Sequence, residues 1–200
     1  RELPVFCQPE DEDGLRELGF DARPVVESLD WDGLTIHRVP ARHGFGRTAE
    51  LLGPVSGYVL DDLYLAGDTV WYRAVEETIE RFRPRVAVVN AAGASFLDGE
   101  LIVMGIEDVR EVVSRVPVVV AVHLEALNHC PLTRAELAAA VPGVVIPRDG
   151  ETLLAAASVL GAAISVVGEL FQVSREEGWG TFSDLRIEVA VREPAKPHAF

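Results

Sequence analysis

His43 and Asp68 each stand just past a stretch that reads as a β-strand, and His123 ends one. Side chains at strand ends are held by a rigid sheet yet remain accessible, which is where catalytic groups commonly sit in layered α/β proteins. Imidazole and carboxylate donors suit Zn, Mn or Fe. The chain has five histidines and only two cysteines, Cys7 and Cys130, so no thiolate cluster points to a structural zinc. Each residue also has a plainer reading. A single histidine after a strand is commonly a loop or core residue. Gly67-Asp68-Thr69 is a common turn, and Asp68 could cap a helix beginning at Val70. Asn128 and His129 follow His123 closely and are candidates for orienting a ligand or reaching substrate. Hydrogen bonding at the entry to the next helix is the alternative. His37 lies within a strand and reads as structural, as do Cys7 and Cys130.

The elements that must position these residues alternate along the chain. Glu10 to Leu18 reads as a short acidic helix stopped by Gly19. Leu34 to Val39 alternates like a half-buried strand. Gly57–Leu60 and Leu63–Ala66 form a hairpin pair around Asp61-Asp62. Val70 to Arg83 has helical spacing and ends at Pro84. Val86 to Val89 is a continuous apolar run of the kind found in buried sheets. Glu107–Arg115 is a helix, Val116–His123 a further strand, and Thr133 to Glu136 a capping box that starts another helix. Gly143–Ile146 closes the series as a short strand. This order predicts an α/β layered fold. A soft boundary is placed near residue 151, dividing 1–151 from an unassigned segment, 152–200. In the latter, Thr152–Gly168 is a run of 17 uncharged residues. It reads as a buried apolar helix rather than a membrane span, because it is short and lacks flanking basic residues. Leu185 to Val191 reads as a strand.

Eighteen Lys and Arg against 32 Asp and Glu give a net charge of −14. That field repels phosphate backbones and anionic lipid, so neither nucleic acid nor a membrane is expected as a partner. A small-molecule substrate, and a homo-oligomer as an option, are expected instead. Two cysteines make no disulfide framework, and no signal peptide pattern is visible, so a cytoplasmic protein is the expectation.

Taken in order, several segments resemble the second half of metallo-β-lactamase-fold metal-dependent hydrolases, in the branch similar to ascorbate-phosphate lactonases. They are Leu3-Pro4-Val5-Phe6, Ala41-Arg42-His43-Gly44, Leu63 to Thr69, Val89-Asn90-Ala91 and Val120 to Cys130. The spacings fit as well: 25 residues separate His43 from Asp68, and 55 separate Asp68 from His123. The resemblance covers about residues 3–151. It implies the C-terminal half of an αββα layered fold. It also implies that His43 completes one metal site, that Asp68 bridges two ions, and that His123 completes the second. Water activated by the metal would attack an ester, lactone, amide or phosphodiester. Asp68, Asn128 and His129 are the residues expected at the reacting centre. The family's leading ligand motif, His-x-His-x-Asp-His, does not occur in this chain. His43, Asp68 and His123 offer each ion two donors, where catalytic zinc usually takes three protein ligands. The metal, expected to be Zn with Mn or Fe as alternatives, should therefore bind weakly or not at all to this chain alone. An inactive member serving as a structural or partner-binding module is the alternative function.

Overall fold

In the computed structural model, residues 4–31, 33–96, 99–125, 129–148, 151–156, 163–171 and 182–190 are described. The strands are β1 (Pro4–Cys7), β2 (Asp21–Pro24), β3 (Ser28–Trp31), β4 (Leu34–Pro40), β5 (Ser56–Leu60), β6 (Leu63–Leu65), β7 (Val86–Asn90), β8 (Ser95–Phe96), β9 (Glu100–Leu101), β10 (Val118–Val122), β11 (Thr152–Ala156), β12 (Ala163–Phe171) and β13 (Phe182–Ala190). The helices are α1 (Glu12–Glu17), α2 (Gly46–Leu52), α3 (Arg73–Phe82), α4 (Ile106–Val113) and α5 (Arg134–Ala140).

The central sheet has the order β10-β7-β6-β5-β4-β3. β6, β7 and β10 run parallel, while β4–β5 and β5–β6 are antiparallel. It follows that β4, β6, β7 and β10 all point the same way. Their C-terminal ends share one edge of the sheet, and that edge carries the candidate chemistry.

Alternation along each strand sorts side chains onto two faces. Val39, Val59, Tyr64, Ala87, Val89, Val119 and Ala121 face the helices. There they bury Val75 and Ile79 of α3, Val109 and Val112 of α4, and Leu137 of α5. On the other face Leu63, Val86, Val88 and Val120 form a second apolar cluster, against which Leu65, Val122, Val145 and Leu153 pack. β7 and β10 are apolar on both faces because both faces are covered.

Local chemistry explains several boundaries. The β5–β6 turn places Asp61 at φ 49°, and Leu60 pairs with Leu63. Thr133 caps α5: its hydroxyl accepts from the Glu136 N–H, and the Glu136 carboxylate accepts from the Thr133 N–H. The expected strand at Gly143–Ile146 is reduced to a single parallel bridge between Val120 and Val145. α3 begins at Arg73, not Val70, because Tyr72 is extended at φ −157°. Asp68 therefore caps no helix. The segment expected as an apolar helix, Thr152–Gly168, instead contributes β11 and β12 to a three-stranded antiparallel sheet, β11-β12-β13. A short apolar run has no period that separates buried helix from buried strand. The expected strand at Leu185 falls within β13. Among the described residues no helix is long and apolar enough to cross a membrane.

Candidate metal centre

The loops after β4 and β6 are fastened to each other by backbone geometry. The Arg42 N–H donates to Thr69 Oγ1 at 3.0 Å, and the Val70 N–H donates to the Arg42 carbonyl at 2.9 Å. This holds the loop carrying His43 against the loop carrying Asp68. The loop after β7 joins the same edge: the Ala91 N–H donates to the Val122 carbonyl, and Met104 N–H to the Asn90 carbonyl.

Two of the three candidate donors, His43 and Asp68, are oriented by a neighbour. His43 Nδ1 lies 2.8 Å from the Ile102 carbonyl oxygen. A carbonyl only accepts, so Nδ1 carries a proton, which leaves Nε2 as the nitrogen whose lone pair can face a cation. The approach depends on Gly44, at φ +91°. A Cβ there would meet Ile102 Cγ2 at 3.1 Å and Thr48 Cγ2 at 3.3 Å. Asp68 Oδ1 accepts a 2.6 Å hydrogen bond from Asn90 Nδ2, which fixes the carboxylate by one oxygen. His123 directly follows β10 in the left-handed region, at φ 62°. Burial pushes its pKa below the ordinary value. The neighbouring Asp68 opposes that shift, while His129 and His43 reinforce it.

Imidazole and carboxylate groups are the correct donor types for a divalent cation, and orientation by carbonyl and amide partners is the usual support for such ligands. The three candidate donors are not gathered into a ready-made site: among the described residues no three His, Cys, Asp or Glu side chains, His43, Asp68 and His123 included, form a group that could hold a metal ion.

Other expected residues are placed as follows. Asn128 lies outside the described residues. His129 is exposed in the turn after His123. His37 is half-buried on the helix side of β4, with its ring 5.0 Å from that of Phe82, as a structural role requires. Cys7 and Cys130 are both buried. Glu125 binds Arg134 through its N–H and its guanidinium, both at 2.9 Å. Sequence reasoning missed Asn90 as a partner of Asp68. The available signal was a polar residue closing the apolar run Val86-Ala87-Val88-Val89. It also missed the stacking of Arg42, whose guanidinium carbon lies 4.0 Å from the Tyr72 ring centre and 5.1 Å from that of Phe45.

No family model matches the chain. The chain is 33% identical over 168 residues to the UPF0173 protein YddR of Bacillus subtilis, covering 76% of this chain and 66% of that protein. It is similar to the crystal structure of a possible metal-dependent hydrolase from Veillonella parvula, with a TM-score of 0.70 at 32% identity. An isothiocyanate hydrolase from Delia radicum gut bacteria gives 0.69 at 34% identity. Both structures are matched over 76% of this chain and 66% of theirs. The chain thus spans just under two thirds of the length of these relatives. The level of identity and the shared fold make this chain, over the matched residues, a relative of the UPF0173 protein and similar in structure to the possible metal-dependent hydrolase.

Proposed function

We propose that this chain carries the His43–Asp68–His123 part of the centre of a metal-dependent hydrolase acting on an ester, lactone, amide or phosphodiester. The observation that supports it most strongly is geometric: β4, β6, β7 and β10 end at one sheet edge, where the Arg42–Thr69 and Val70–Arg42 hydrogen bonds fasten the His43 loop to the Asp68 loop and Asn90 reaches Asp68 from β7. A bound divalent cation, for which Zn is favoured over Mn or Fe, would supply a lowered water pKa and polarisation of the attacked bond. The chain's own residues prepare for it. Ile102 fixes the His43 tautomer that presents Nε2. Asn90 holds one Asp68 oxygen and leaves the other for the centre. Burial lowers the pKa of His123 and so favours the ring form that offers a lone pair. Asn128 and His129 are assigned to substrate contact. Residues 1–151 are assigned to this catalytic unit, and the donors that complete the metal set would come from outside the described residues.

A second reading, an inactive member that binds a partner, is favoured by the lack of any three-donor group among the described residues. The two are separated by incubating the full chain with excess Zn or Mn and measuring hydrolysis of an aryl ester, a γ-lactone and an aryl phosphodiester. The hydrolase reading expects turnover that needs added metal and is lost in Asp68→Ala and His123→Ala. Turnover unaffected by both variants, or none with any metal and substrate, rejects it.

A further inference from the structure

Arg42 precedes His43, and its backbone is bonded to Thr69 and Val70, so it sits where the two candidate ligand loops meet. Each of those loops also contributes an aromatic ring to it. Phe45 follows His43, Tyr72 follows Asp68, and the guanidinium carbon lies 5.1 Å and 4.0 Å from their ring centres. Arg42 is half-buried, yet among the described residues no carboxylate pairs with it and no acceptor bonds its guanidinium. Among the described residues, the other arginines without a carboxylate partner or side-chain hydrogen bond (Arg47, Arg81, Arg83, Arg85 and Arg148) are exposed. Stacking occupies the faces of a guanidinium and leaves the edge N–H groups to donate. The planar fork of those donors matches a carboxylate or phosphate group. Phe45 remains 37% exposed, so the stack lies at the surface and is open to a ligand.

We propose that Arg42 is the anion-recognition residue of this site, binding an oxyanion carried by a small-molecule substrate beside the bond to be cleaved. The inference deepens the hydrolase reading and rests on it for the word substrate, but the anion contact itself needs no turnover. It also explains how a chain of net charge −14 would admit an anionic molecule: one pre-stacked cation at the rim offsets the repulsion locally.

The test uses the full chain in the presence of a chelator. Acetate, inorganic phosphate and the neutral control acetamide are titrated while the arginine Nε–H resonances are followed by NMR. The Arg42 signal should shift and saturate with acetate or phosphate, and whichever binds tighter names the oxyanion. Acetamide should leave it in place. Arg42→Met, which keeps the stem on the aromatic rings, should abolish the response. Arg42→Lys, which keeps the charge but loses the fork, should weaken binding at least tenfold. An Arg42 signal indifferent to both anions, or anion binding unchanged in Arg42→Met, overturns the proposal. If the chain turns over esters, Arg42→Met should raise KM for an anionic ester about tenfold and leave that for its neutral counterpart unchanged. An equal effect on both esters overturns the proposal. Anion binding without any hydrolysis would reject the hydrolase reading alone and leave the anion contact standing.

Discussion

The 2.6 Å hydrogen bond from Asn90 to Asp68 makes a quantitative prediction. Asn90 ends β7, where the Ala91 and Met104 N–H groups hold the backbone around it, and both side chains are half-buried. A hydrogen bond to a charged group contributes about 1.5–3 kcal/mol net. Partial exposure places this one near the lower bound, at about 1.5 kcal/mol. Asn90→Ala alone removes the donor and leaves the carboxylate half-desolvated, so it should destabilise the chain by about 1.5 kcal/mol. Once Asp68 is also alanine, the same substitution should cost much less. A double-mutant cycle of wild type, Asn90→Ala, Asp68→Ala and the double variant, read by urea unfolding, isolates the coupling. The expected coupling is about 1.5 kcal/mol, roughly tenfold in the folding equilibrium. A value under about 0.5 kcal/mol, within the additivity of independent sites, would refute the positioning role of Asn90.

Further outcomes follow from named contacts. Gly44→Ala places a side chain at φ +91° and 3.1 Å from Ile102; it should cost about 1–2 kcal/mol by thermal melting and displace the His43 ring signals. Arg83 is left-handed at φ 48° after α3, so Arg83→Gly should stabilise by up to about 1 kcal/mol, a rise of about 2–4 °C in Tm. Leu137→Ala empties the one fully buried position of α5 and should cost about 3 kcal/mol in urea unfolding. The α5 cap holds the Glu136 carboxyl below its usual pKa of 4.5 through its bonds to Thr133. A depressed carboxyl contributes stability above 4.5 that is lost as pH falls below it. Glu136→Gln should therefore flatten the acid limb of stability against pH, and an unchanged limb would contradict the cap.

How much of this was legible in the sequence depended on the range of the interaction involved. The Asp61-Asp62 turn, the Thr133 capping box and the apolar run at Val86 are local signals, and the corresponding elements form where those signals lie. The parallel pairing of β1 with β2 joins Pro4 to Asp21 across α1, and no local pattern encodes it. The start of α3 was misplaced because Val70, Trp71 and Tyr72 carry helical spacing, while the backbone there is extended. Arg42 and Arg115 then stack on the two aromatic rings. Thr152–Gly168 was misread because Ala, Gly and Val in an uncharged run satisfy either a helix or a strand. At the candidate centre, the three strand-end residues were visible as residue types in order. The partners that orient them, the Ile102 carbonyl and Asn90, were not. A backbone carbonyl leaves no trace in residue identity, and Asn90 lies 22 residues from the carboxylate it holds.

The central claim is that His43, Asp68 and His123 are donors of one metal centre. It is tested most directly by anomalous diffraction at the zinc edge, from crystals of the full chain soaked in millimolar zinc. The account predicts a zinc peak about 2.0–2.2 Å from Asp68 and from Nε2 of His43 or from the His123 ring. The peak should be removed by a brief chelator wash and be absent from Asp68→Ala crystals. Zinc bound only elsewhere, or a peak that persists in Asp68→Ala, would contradict it.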